Sequence, residues 1–108
     1  MILIEHTSFG AQILNVNIEN NDLLYLSPLS KFDPTKTRRG GMPIIFPQFA
    51  NCGNIKKHGF VRDTTWELIN EKINHDSHSI EYEYKIYEDY FPDWKHSAIL
   101  NLKATVVN

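Results

Sequence analysis

Ile80-Glu81-Tyr82-Glu83-Tyr84-Lys85-Ile86-Tyr87 carries an apolar or aromatic side chain at every even position and a charge at 81, 83 and 85. Successive side chains of an extended chain point to opposite faces, so this run predicts a strand with one face buried and the other in water. The same period of two recurs on either side of it. Ala98, Leu100, Leu102, Ala104 and Val106 fall on one face of a later strand, opposite Ile99, Asn101, Lys103, Thr105 and Val107. Earlier, Leu14, Val16 and Ile18 alternate with Asn15, Asn17 and Glu19. Asn20-Asn21-Asp22 supplies a turn, and Leu23 to Leu26 then reads as the returning strand of a hairpin. No window combines helical apolar spacing with capping residues, so almost no helix is expected. The class is all-β, and antiparallel because no helical crossovers are available.

The chain has 108 residues, 42% hydrophobic and 22% charged, which suits one globular domain over residues 1–108 and excludes a two-domain enzyme. Its formal charge is only -2, which argues against a nucleic-acid partner. The charges are unevenly distributed. From Lys31 to Arg62 there are seven Lys and Arg against Asp33 alone, and from Asp63 to Trp94 nine acids against Lys72 and Lys85. A small anionic ligand fits the first of these segments. The single cysteine, Cys52, permits no intrachain disulfide and points to a reducing, cytoplasmic setting. Met1 to His6 lacks the pattern of a secretory signal, and no uncharged run is long and apolar enough for a spanning helix, so no membrane association is expected.

Between Ser27 and Arg62 the alternation stops, and prolines and glycines punctuate a long loop that also holds Phe46, Phe49 and Phe60. Loops of this length are commonly functional or disordered, and the aromatics favour function. Two stretches stand out. Arg38-Arg39-Gly40-Gly41-Met42-Pro43-Ile44-Ile45-Phe46-Pro47-Gln48-Phe49-Ala50 reads either as a backbone able to approach a ligand closely beside two guanidinium groups, or as a rigid aromatic-packed turn with solvated arginines. His58-Gly59-Phe60-Val61-Arg62-Asp63, followed by Trp66, would in a strand place His58, Phe60 and Arg62 on one face. Such a face suits sugar hydroxyls or a phosphate, although a lone histidine is more often structural.

Together the two stretches resemble the aldose 1-epimerase (mutarotase) family, and most closely its hexose-6-phosphate mutarotase branch. The matching pattern is Arg-Gly-Gly-Ile-Pro, Phe-Pro-x-Phe-Gly and His-Gly-Phe-Ala-Arg with a Trp four residues on. Here it stands as Arg39 to Pro43, Phe46 to Phe49 and His58 to Arg62 with Trp66, departing at Met42, Ala50 and Val61. Gly10 to Leu14 and Leu24 to Ser27 also look like the family's first hairpin. The resemblance implies a partial or half-size antiparallel β-sandwich of the galactose mutarotase type that binds a hexose or hexose phosphate and interconverts its anomers without a cofactor or metal. By correspondence, Arg39 and Arg62 would contact the sugar or its phosphate, and His58 would position the substrate near the ring oxygen. The family's acid histidine and base glutamate lie downstream of the His-Gly-Phe motif. His75, His78 and His96 do not stand in that motif's context, and no acid of this chain stands in the base motif. The chain therefore reads as the N-terminal, substrate-holding portion of a mutarotase, with turnover left open.

Two readings of another class remain: a carbohydrate-binding β domain without turnover, and a remnant that self-associates. The second follows from the strand ending at Val107, whose open edge predicts a homo-oligomer. His75-Asp76-Ser77-His78 reads as a solvated turn rather than a metal cluster. The aromatics of Tyr87 to Trp94 read as packing within their own loop more readily than as a sugar platform. Cys52 and His58 have nothing to orient them as a nucleophile pair.

Overall fold

A computed structural model describes residues 1–108. Six strands form two antiparallel sheets, each a simple meander. The first contains β1 (Ile2–Thr7), β2 (Gln12–Ile18) and β3 (Asn21–Asp22), in that order. The second contains β4 (Glu67–Ile73), β5 (Ser77–Ile86) and β6 (Ala98–Val107). β1 lies against β5 and β6, so the sheets face each other as a small sandwich. The only helical element is a single 3-10 turn at Val61–Asp63, and no helix is long and apolar enough to cross a membrane.

The alternation at Ile80–Ile86 performs as its spacing predicts. Ile80, Tyr82 and Ile86 are each 1% exposed, whereas Glu81 and Glu83 stay half-exposed and Lys85 exposed. β6 follows suit, its even residues half-buried and its odd ones in water. The first hairpin differs from expectation in its turn. Glu19 and Asn20 take φ of 48° and 68°, so these two residues reverse the chain, and Asn21 and Asp22 already belong to the return. Leu23–Leu26 is not a strand. Leu23 donates its N–H to the Val16 carbonyl at 2.8 Å, but at Leu24 the acceptor is the Asn15 side chain at 3.2 Å. A carboxamide has replaced the ladder, and backbone pairing stops there.

Asn15 is consequently buried, its amide also donating to Asp22 at 2.6 Å, so β2 is covered on both faces from Gln12 to Val16. β1 and β4 had no clear periodicity to reveal them. β1 buries only Ile2 and Ile4, and every residue of β4 is exposed.

The core joins Ile4, Ile13 and Val16 of the first sheet to Ile80, Tyr82 and Ile86 of the second, with Ala11, Phe60, Val61 and Trp66 from the connections. Trp66 also donates its indole N–H to the Val61 carbonyl at 3.0 Å, which fastens the 3-10 turn to the core.

A polar chain joins the sheets beside this core. Ile4 N–H donates to His78 Nδ1 at 2.8 Å, so the remaining nitrogen, Nε2, carries the proton and donates to Glu71 Oε2 at 2.8 Å. His6 reaches the same oxygen through Nε2 at 2.7 Å, while its Nδ1 meets the Tyr82 hydroxyl. His78 is thus buried within β5, not part of a solvated turn; His75 and Asp76 alone make that turn. Burial pushes the Tyr82 hydroxyl above its ordinary pKa, which keeps it a donor. Donation by His6 and then His78 holds the Glu71 carboxyl below the usual glutamate value.

A carboxyl with a lowered folded pKa adds stability above its unfolded value and loses it as pH falls through the folded one. Urea midpoints measured from about pH 6 to about pH 3 are therefore expected to fall less steeply in Glu71→Gln than in the parent chain. Parallel curves would remove Glu71 from the acid sensitivity of the fold.

Candidate functional site

The long loop owes its position to one buried side chain. Gln12, 1% exposed, donates to the carbonyls of Arg38 at 2.8 Å and Gly40 at 2.9 Å, and accepts the Arg38 N–H at 3.1 Å. The next residues lie along β2, with Met42 N–H on the Ile13 carbonyl at 2.7 Å and Gly41 N–H on that of Tyr25 at 2.8 Å. Glycine is required here. At φ +62° a Cβ on Gly41 would sit 2.1 Å from the Ile13 oxygen.

The second motif arrives from the opposite side. His58 and Gly59 both have positive φ, and the chain then enters the 3-10 turn, so His58, Phe60 and Arg62 do not lie along a strand. Phe60 instead turns inward and stacks on Phe91 at 3.6 Å between ring centroids. Trp94 closes over Phe46 and Phe60, so aromatics of the Tyr87–Trp94 loop pack against this motif. With the ring of Phe60 removed to the core, His58 and Arg62 are left together at the surface.

There they meet the first motif. Arg39, His58 and Arg62 line one open cavity of about 660 Å³, along with Lys36, Arg38 and Lys57. Its only acid is Asp63, which is already engaged by Lys56 at 2.9 Å and by the Thr37 hydroxyl at 3.2 Å. Arg38, Arg39 and Arg62 make no ion pair. The Nε atoms of Arg38 and Arg62 are buried and have no partner. Guanidinium groups without an ion-pair partner, of which Arg38 donates only to the Ser30 carbonyl at 2.7 Å, have the planar fork that matches carboxylate or phosphate oxygens.

His58 supplies a donor to the same space. The Ala50 N–H donates to His58 Nδ1 at 3.0 Å, and the His58 N–H returns a bond to the Ala50 carbonyl at 3.1 Å. With Nδ1 accepting, the neutral ring carries its proton on Nε2. Gln48, 8% exposed, shapes the loop between them through bonds to Ala50 and to both backbone groups of Ile55. Gln12 and Gln48 were not singled out from the sequence, and Arg38 stood out only as part of its stretch. A glutamine in an alternating strand looks solvent-facing, and only the cavity distinguishes Arg38 from its neighbours. Cys52 is exposed and has no hydrogen bond to His58.

His6, Glu71 and His78 bring three potential metal-ligand atoms within 4.8 Å of one another. The Ile4 N–H nevertheless keeps the proton on the His78 nitrogen that a metal would need. Ligation would strip that proton and leave the ring with none, so the group suits a hydrogen-bond relay better than a metal.

Two outcomes follow. Gln12→Leu keeps the volume but leaves the Arg38 and Gly40 backbone groups unpaired, and is expected to cost about 1–3 kcal/mol in chemical denaturation. Long-range ¹⁵N–¹H correlation spectra are expected to show His58 protonated on Nε2 in its neutral form; a proton on Nδ1 would contradict the Ala50 contact.

The profile of the family described as Aldose 1-epimerase matches residues 2–108. A protein from Cenchrus ciliaris named "Putative glucose-6-phosphate 1-epimerase" is 41% identical over 64 residues, which is 58% of this chain and 20% of that protein. Among solved structures, one titled a "putative mutarotase" from Salmonella typhimurium superposes with a TM-score of 0.79 at 25% identity, covering 92% of this chain and 35% of its own. The Slr1438 protein of Synechocystis sp. PCC 6803 superposes with a TM-score of 0.59 at 26% identity, covering 82% of this chain and 33% of its own. The chain thus spans about a third of the solved relatives (35% and 33%) and a fifth (20%) of the Cenchrus protein. With its motifs, its two-sheet fold and this match over nearly its whole length, the chain belongs to the aldose 1-epimerase family.

Proposed function

We propose that this chain binds a hexose or hexose phosphate in the Arg39–His58–Arg62 cavity, as the substrate-holding part of an aldose 1-epimerase. The observation that carries the reading is the meeting of these three residues, from two separate stretches of loop, around a space with no free carboxylate. Arg39 and Arg62 hold the anionic group or sugar hydroxyls, and His58 donates Nε2–H to a ring or hydroxyl oxygen. No cofactor enters this chemistry, and the charge balance gives no reason to invoke a nucleic acid. The reading includes a cytoplasmic location and self-association through an uncovered sheet edge.

Anomer exchange requires that a base take the proton of the C1 hydroxyl while an acid protonates the ring oxygen. The ring bond breaks, the aldehyde turns about C1–C2, and the ring recloses. Each positioned proton-transfer group contributes about 10²- to 10⁴-fold in rate. In this reading His58 serves the ring-oxygen side. The one carboxylate lining the cavity, Asp63, is already paired with Lys56 and Thr37. That pairing favours binding without rapid turnover as the behaviour of this chain on its own.

Titration with glucose 6-phosphate is expected to show saturable binding, weakened about 10- to 100-fold in Arg39→Ala and in Arg62→Ala by loss of a charge-assisted contact. Unchanged affinity in both would remove the anion role. Saturation-transfer NMR of the same sugar is expected to give anomer exchange at the buffer rate. Acceleration that disappears in His58→Ala would instead assign turnover to this chain.

A further inference from the structure

The cavity that gathers Arg39, His58 and Arg62 is lined by five cations and one carboxylate, and the carboxylate pairs with none of the five. Asp63 Oδ2 instead takes Lys56 Nζ at 2.9 Å, and Lys56 is not among the lining residues. Asp63 Oδ1 accepts from the Thr37 hydroxyl at 3.2 Å, so both oxygens are engaged. A guanidinium would bind this carboxylate more tightly than an ammonium does, since its fork can grip both oxygens at once. Arg62 is the adjacent residue and is left without an acid.

Two turns set up this pairing. The Lys56 carbonyl accepts the Gly59 N–H at 2.7 Å, and φ of 63° at His58 and 74° at Gly59 reverses the chain there. The Asp63 N–H donates to the Phe60 carbonyl at 3.2 Å, within the 3-10 turn that Val61 anchors in the core. Consecutive lysines are thereby given different surroundings. Lys57 lines the cavity and makes no ion pair, whereas Lys56 meets Asp63 from outside the lining. Thr37 holds the other side, sharing its hydroxyl proton between the Arg62 carbonyl at 2.9 Å and Asp63. The stretch that carries Arg38 and Arg39 is tied in this way to the turn that carries Arg62 and Asp63.

Without Lys56 the carboxylate would have an oxygen to spare beside three arginines. Turned onto one of them, it would occupy the donors that a phosphate needs, and the ligand would have to displace it. Lys56 removes that competitor and keeps its own ammonium out of the binding space.

We propose that Lys56 is a positioning residue for anion recognition: by engaging Asp63 from outside the cavity it keeps that carboxylate off Arg39 and Arg62, and so leaves both free for the phosphate of a phosphorylated hexose. The inference rests on the reading of this cavity as a sugar-phosphate site and adds to it the residue that keeps its charge available.

In NMR titrations with glucose 6-phosphate, Lys56→Gln is expected to weaken binding about 3- to 5-fold, and Lys56→Arg to restore the parent affinity. In an Asp63→Asn background, where no carboxylate is left to release, Lys56→Gln is expected to change the affinity by less than about twofold. Lys57→Gln takes a cation from the cavity itself and is expected to weaken binding by the same factor in both backgrounds. Lys56→Gln is expected to melt with the parent chain, because exposed ion pairs add little stability and these two side chains are 65% and 36% exposed. An equal loss from Lys56→Gln in both backgrounds would make Lys56 a direct cation of the site and overturn the proposal, as would parent affinity in Lys56→Gln. No saturable binding by the parent chain would overturn the reading of the cavity itself, and this role with it.

Discussion

A buried carboxamide holds the basic loop in place. Gln12 meets the loop with one acceptor and two donated bonds, all to backbone groups. This matters because five cations, Lys36, Arg38, Arg39, Lys57 and Arg62, face one space and repel one another. A carboxylate among them would relieve the repulsion and also consume the charge. Neutral backbone bonds hold the loop and leave the charge unspent, so the cavity keeps an attraction for an anion that ion pairing would have cancelled.

The other wall is held by packing. Phe60 and Val61 enter the core, Trp66 bonds to the Val61 carbonyl, and Arg62 emerges between these anchors. Gly59 permits the reversal, since a Cβ there would lie 2.0 Å from the Phe46 oxygen. Each candidate side chain thus sits next to a residue that fixes the backbone: Arg39 beside Gly40, His58 beside Gly59, Arg62 beside Val61.

What the sequence revealed follows the same division. Strands with one wet face were legible, because Glu81, Glu83 and Lys85 mark the outside of β5. β4 was not, since a fully exposed edge strand needs no alternation. The return of the first hairpin was misread because Leu23–Leu26 has strand composition, and nothing in composition shows that Asn15 will take the Leu24 N–H. The site residues Arg39, His58 and Arg62 were legible as motifs. His58 and Arg62 were expected side by side on a shared strand face with Phe60, whereas a turn at Val61–Asp63 brings them together with Phe60 pointing inward. Gln12 and Gln48 were invisible because burial, not identity, makes them structural. His78 was misplaced for the related reason that a polar residue near a turn reads as solvated until a backbone donor is found for it.

Both sheets are meanders of neighbouring strands, which bears on how the chain reaches this shape. β1 to β3 and β4 to β6 can each form by closing short connections, and sequence-local contacts form early. The costly event is bringing the two meanders face to face across the segment that carries the site. Closure entropy rises only about 0.6 kcal/mol per doubling of loop length. The basic loop therefore occupies the one connection where insertions cost folding least, and a relative could remodel its ligand there while both sheets assemble by the same route.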